Sequence, residues 1–90
     1  MLEREIERHL VHLAKQHGGL AIKWTAPSFS GVPDRIVFLP RGEVFFVELK
    51  APTKNQTALQ VRVCKMLTDL GARVYVVDSK QAVEALFHAL

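Results

Sequence analysis

Two β-rich runs, Arg35 to Leu39 and Val44 to Lys50, are separated only by Pro40-Arg41-Gly42-Glu43. So short a connection, with a glycine in it, leaves no room for a crossover helix, and the two runs must pair as an antiparallel hairpin. In a chain of 90 residues that hairpin decides most of the fold, because every other element has to pack around it. A two-residue turn near Arg41-Gly42 would place opposing residues at numbers summing to about 83, setting Asp34 and Arg35 across from Leu49 and Glu48. A longer turn or a bulge would move the pairing by one residue.

The rest of the chain reads as elements that cover the hairpin. Leu2, Ile6, Leu10, Leu13 and His17 recur at helical spacing, predicting a helix over Glu3 to His17 that Gly18-Gly19 stops. A strand follows over Leu20 to Thr25. The Pro-, Ser- and Gly-rich segment Ala26 to Pro33 reads as a loop. Thr57 with Gln60 makes a capping-box pattern ahead of a second helix to about Leu70, striped by Leu59, Val63, Met66, Leu67 and Leu70. Arg73 to Val77 is a fourth strand. Asp78 or Ser79 caps a last helix over Lys80 to Ala89. The order α-β-β-β-α-β-α makes an α/β fold with a mixed central sheet, expected to be one domain over residues 1–90.

Composition narrows the function classes. Half of the residues are apolar, which argues against disorder, and no run approaches the length of a membrane span. The N-terminus lacks the pattern of a secretory signal. One cysteine, Cys64, excludes a disulfide framework and a Cys-rich metal knuckle, and a reducing cytoplasm is the expected compartment. The formal net charge of +3 permits a polyanionic partner without requiring one.

The informative residues are charged ones in strands that otherwise look buried. Along Val44 to Lys50 the side chains alternate: Phe45, Val47 and Leu49 on one face, Val44, Phe46, Glu48 and Lys50 on the other. Both faces begin apolar, so the strand is expected to be covered on both sides. Charges at the end of such a strand are costly unless paired, metal-bound or at the rim. The hairpin brings Asp34 to Glu48. Two carboxylates beside a lysine suit a hard divalent cation, Mg²⁺ or Mn²⁺, with the Leu49 carbonyl as an extra oxygen ligand. Such an ion binds a scissile phosphate and lowers the pKa of a water, while Lys50 orients that water or offsets charge on the phosphorane. A third carboxylate from the first helix, Glu7 or Glu3, is within reach of a site at the sheet edge.

Plainer roles exist for each residue. Asp34 can cap its loop, Glu48 and Lys50 can be a charge pair on an emerging strand, and Gln60 can simply complete the Thr57 cap. Lys54, Arg62 and Lys65 read as surface residues, Cys64 as a half-buried helix residue. Trp24 and Phe29 suit the core or a stacked base equally. The four histidines show no metal-ligand clustering.

Taken together, Pro33-Asp34 followed by Glu48-Leu49-Lys50 resembles the PD-(D/E)XK nuclease signature. The strings GVPDRIVFLP, VFFVELKAP and LGARVYVVDS, with Gln60 between the last two, resemble its VRR-NUC branch, whose stand-alone members occur in phages and bacteria. The likeness runs over nearly the whole chain. It implies a restriction-endonuclease-like core and a metal-dependent DNA endonuclease, with Asp34 and Glu48 as metal ligands and Lys50 as the catalytic lysine. Gln60 would stand near the site, and Glu7 would be the helix acid, with Glu3 as its alternative. It further implies a homodimer acting on branched DNA in the manner of a Holliday junction resolvase. The loop before Gln60, Thr53-Lys54-Asn55-Gln56, lacks the glycine common in the branch. Two other readings share the same residues: a DNA-binding or assembly module that keeps the fold without catalysis, and a nuclease acting on RNA or single strands.

Overall fold

The computed structural model describes residues 1–90. Helix α1 (Glu3–Gln16) leads into strand β1 (Leu20–Lys23), the hairpin β2 (Arg35–Leu39) and β3 (Glu43–Leu49), helix α2 (Ala58–Asp69), strand β4 (Val74–Val77) and helix α3 (Lys80–His88). The sheet order is β1-β2-β3-β4, with β1, β2 and β3 antiparallel and β4 parallel to β3. This is the α-β-β-β-α-β-α order and mixed sheet of a restriction-endonuclease-like core.

Local chemistry explains the boundaries. Thr57 Oγ1 accepts the Gln60 backbone N–H while Gln60 Oε1 accepts that of Thr57, a reciprocal cap that starts α2. Ser79, rather than Asp78, caps α3 by accepting the N–H of Ala82. The hairpin turn holds three residues, Pro40–Gly42, with Arg41 at φ 68° and Gly42 at φ 76°. That third residue shifts the register by one from the two-residue expectation. Arg35 pairs with Val47 and Leu39 with Glu43, so continuing the pairing past Arg35 sets Asp34 opposite Glu48 itself.

The core lies on one face of the sheet. Ile6, Leu10 and Ala14 of α1 and Val83, Leu86 and Phe87 of α3 pack on Ala21, Val37, Phe45, Val47, Leu49 and Val77. Ala14 takes part, although the spacing of larger side chains does not mark it. Phe45 sits edge-on to both Tyr75 and Phe87.

The second face differs from expectation, because α2 covers only part of it. Of the α2 stripe only Val63 is buried; Leu59, Met66 and Leu70 are exposed, Leu70 at 84%. Leu20, Phe38 and Val44 are register partners in a row across β1, β2 and β3, and all three are exposed. Trp24, by contrast, is half-buried and stacks at a tilt on Phe46, 5.2 Å between ring centroids.

Candidate active site

Asp34, Glu48 and Lys50 meet on the α2 side of the sheet, where β2 begins and β3 ends. The loop from Ala26 delivers Asp34. Gly31 has φ 91° and lies so close to α2 that a Cβ would come within 3.0 Å of Leu59 Cγ and Val63 Cγ2. Only glycine takes that backbone against that helix without strain. Pro33 is buried and fixes the chain direction into Asp34. Asp34 then closes the ladder from outside it: its Oδ2 accepts the Leu49 backbone N–H at 2.8 Å, while its own carbonyl accepts the Trp24 N–H. One side chain thus ties β2 to the last residue of β3.

Glu48 is the anomaly. Its side chain is 1% exposed, and neither carboxylate oxygen receives an aligned hydrogen bond. Lys50 Nζ approaches Oε2 to 3.3 Å, an ion pair by distance. Burial pushes the Glu48 carboxyl up from the usual 4.5 to about 7; the Asp34 charge adds to the rise and Lys50 opposes it. Buried carboxylates normally gather donors, because an unpaired one costs several kcal/mol. Here two carboxylates share a site with one partly aligned lysine. No third His, Cys, Asp or Glu joins them in a cluster able to hold a metal ion.

The remaining residues singled out in the sequence fall elsewhere. Glu7 lies on the α1 side, where its Oε2 accepts Arg35 Nε at 2.8 Å; Arg35 also donates to the Ala21 carbonyl. This pins α1 to the residue that follows Asp34. Glu3 is exposed in the first turn of α1. Gln60 is half-buried, with its side-chain oxygen committed to the α2 cap. Phe29 is exposed at the loop tip.

Cys64 is the half-buried helix residue the sequence predicts, but its place beside the carboxylates, with Gln56, is not readable there. Gln56 donates to Cys64 Sγ at 3.4 Å. Burial raises the Cys64 thiol, and so do the nearby charges of Glu48 and Asp34, which places the Gln56–Cys64 pair against the site. A half-buried cysteine at the fourth turn-mate position of Gln60 carries no signal of its own; only the packing of α2 reveals it.

The largest cavity, about 670 Å³, runs along β4 and α3 and is lined mainly by apolar residues, none of them Asp34, Glu48 or Lys50.

No family model matches the sequence. The chain is 46% identical over 78 residues to "Putative nuclease p44" of Acyrthosiphon pisum secondary endosymbiont phage 1, covering 87% of this chain and 84% of that protein. A solved structure described as a VRR_NUC domain superposes with a TM-score of 0.89 at 32% sequence identity, over 96% of this chain and 94% of that one.

Proposed function

Because the chain belongs to the VRR-NUC family of PD-(D/E)XK nucleases, we propose that it is a divalent-metal-dependent endonuclease that hydrolyses phosphodiester bonds in DNA, with residues 1–90 forming a single nuclease domain. The observation that carries the metal reading is Glu48: a buried carboxylate, without aligned donors, next to a second carboxylate. A hard cation satisfies both, and oxygen donors of this kind suit Mg²⁺ or Mn²⁺. Asp34 and Glu48 would hold the ion. An extended residue presents its N–H and C=O to the same neighbour, so the Leu49 carbonyl, like its N–H, is directed toward Asp34 and would add a third oxygen. Bound there, the ion supplies Lewis-acid activation of the phosphate and a water of lowered pKa.

The chain's own groups do the rest. Lys50 stands beside Glu48 and would orient the attacking water and offset charge on the phosphorane. Asp34 and Glu48, set opposite one another where the β2–β3 register continues past Arg35, would hold the ion next to the lysine. Gln60, anchored at the start of α2, would line the approach to the site. Glu7 stands behind Arg35 on the α1 side, so as the helix acid it, with Glu3 as its alternative, would serve the site by fixing the residue after Asp34 rather than by ligating the ion.

A homodimer suits the uncovered face. The exposed row of Leu20, Phe38 and Val44 and the exposed α2 side chains are apolar area that a single chain leaves in water. A symmetric pair would bury it and present two sites, matching the two-fold related strands of branched DNA such as a Holliday junction. The work would lie in the cytoplasm, where such DNA is found.

The test is cleavage of labelled four-way junction, flap, duplex and single-stranded DNA, and of RNA, with Mg²⁺, Mn²⁺ or EDTA. Wild-type protein is expected to cut DNA only with metal, junctions best and in paired nicks. Lys50→Ala should lose at least ~100-fold in rate with its fold intact. A Lys50→Ala protein as active as wild type removes the lysine's role. Preferential cutting of RNA or single strands reassigns the substrate, and a folded wild-type protein that cuts nothing and binds no metal favours the binding-module reading.

A further inference from the structure

Helices α1 and α3 lie together on the sheet face opposite the carboxylates, and both approach the sheet end that carries Asp34, Glu48 and Lys50. Lys80, the first residue of α3, comes three residues after Val77, the register partner of Leu49. Glu7 of α1 grips Arg35, the residue after Asp34.

On the solvent side of this helix pair, two shallow concavities of about 380 and 330 Å³ share Arg8 as a common wall. The first is lined by Glu5, Arg8, His9, His12 and Lys80, with no apolar residue. The second adds Arg4, Glu7, Val11 and Arg35. The acids among them are already engaged. Glu5 accepts the Leu2 N–H, Glu7 accepts Arg35, and Glu84 nearby pairs with His9. Arg4, Arg8 and Lys80 belong to no ion pair in the structure.

Arg4 and Lys80 also stand in the first turns of their helices, where the helix dipole disfavours a cation. Glu5 feels both charges without bonding either. None of the three cations has a direct ion-pair partner, the helix dipole opposes Arg4 and Lys80, and Glu5 attracts those two only through space, so an external polyanion would satisfy all three. Arg4 and Arg8 are one turn apart, about 6 Å along α1, a step comparable to that between successive phosphates of a strand.

We propose that Arg4, Arg8 and Lys80 form a phosphate-tracking surface that carries the arm of DNA leading away from the scissile phosphate at Lys50. This rests on the nuclease reading and adds the path: the DNA crosses the α1–α3 pair and not α2. Helix α2 and the loop before it offer Lys54, Arg62 and Lys65; Lys65 is paired with Asp69, and Lys54 and Arg62, though unpaired, line no concavity and stand beside exposed apolar side chains of α2.

The experiment is equilibrium binding to labelled duplex and four-way junction in EDTA, across roughly 50–200 mM salt. It compares wild type, the triple variant Arg4→Ala/Arg8→Ala/Lys80→Ala, and the control Lys54→Ala/Arg62→Ala. Each lost phosphate contact should flatten the log K against log[salt] slope by about 0.9, so the triple variant should lose about 2 to 3 in slope and at least ~10-fold in affinity. Its Mn²⁺ binding should stay at the wild-type value, and Arg4→Lys/Arg8→Lys/Lys80→Arg should restore the slope. The control should change affinity less than ~2-fold. An unmoved slope in the triple variant, or the loss appearing in the control instead, overturns the track while leaving the nuclease reading standing. Wild-type protein that binds neither DNA at any salt overturns both.

Discussion

Glu48 is the residue whose energetics depart most from those of an ordinary carboxylate. Its carboxyl is raised from 4.5 to about 7 by burial and by Asp34. A raised acid stabilises the fold fully below its unfolded value and loses that contribution as pH climbs through the folded value. Metal-free protein should therefore weaken between about pH 4.5 and 7, by on the order of 3 kcal/mol. Glu48→Gln removes the charge at nearly constant shape. It should raise the metal-free melting temperature at pH 8, each kcal/mol being worth roughly 4–8 °C in a chain of this size, and leave it unchanged near pH 4. Thermal denaturation in EDTA at both pH values checks this; a variant less stable than wild type at pH 8 would show that Glu48 is not strained in the free protein. The same substitution should abolish cleavage, the usual opposition between stability and activity at a site.

At the scale of elements, the site depends on how the loop before β2 docks on α2. Gly31→Ala would force a left-handed alanine against Leu59 and Val63. We expect it to cost about 1–3 kcal/mol in urea unfolding and to weaken metal binding by displacing Asp34. A change below ~0.5 kcal/mol would mean that the loop yields freely. Most elements were legible in the sequence, because period, caps and turn residues agree: the Thr57–Gln60 cap and the Pro40–Gly42 turn are local signals read locally. The register was legible only to within a residue, since it depends on Arg41 adopting φ 68°, which most residues avoid. The convergence of Asp34 with Glu48 survived that uncertainty, because either register sets them on adjoining strands. The Gln56–Cys64 contact and the Glu7–Arg35 pair were not legible. Both join residues whose proximity arises from helix packing, and neither residue type advertises its partner.

For the whole molecule, the two sides of the sheet have different fates. One is sealed by α1 and α3; the other leaves Leu20, Phe38 and Val44 in water. The α2 periodicity predicts a buried stripe, and the single chain buries only Val63 of it, which fits the proposed dimer. Sedimentation should find wild-type protein as a dimer at micromolar concentration, and Leu20→Glu/Phe38→Glu as a folded monomer. A monomeric wild type would leave the uncovered face without its proposed partner.

The central proposal is that Glu48, buried without aligned donors beside Asp34, is held so that a divalent ion bridging the two carboxylates can complete it. Calorimetric titration of Mn²⁺ into wild-type, Asp34→Asn and Glu48→Gln protein tests it without any assumption about substrate. Wild-type protein should bind the ion, and each variant should bind it at least ~10-fold more weakly while remaining folded. Wild-type protein that takes up no ion, or variants that bind it as well as wild type, would contradict the claim.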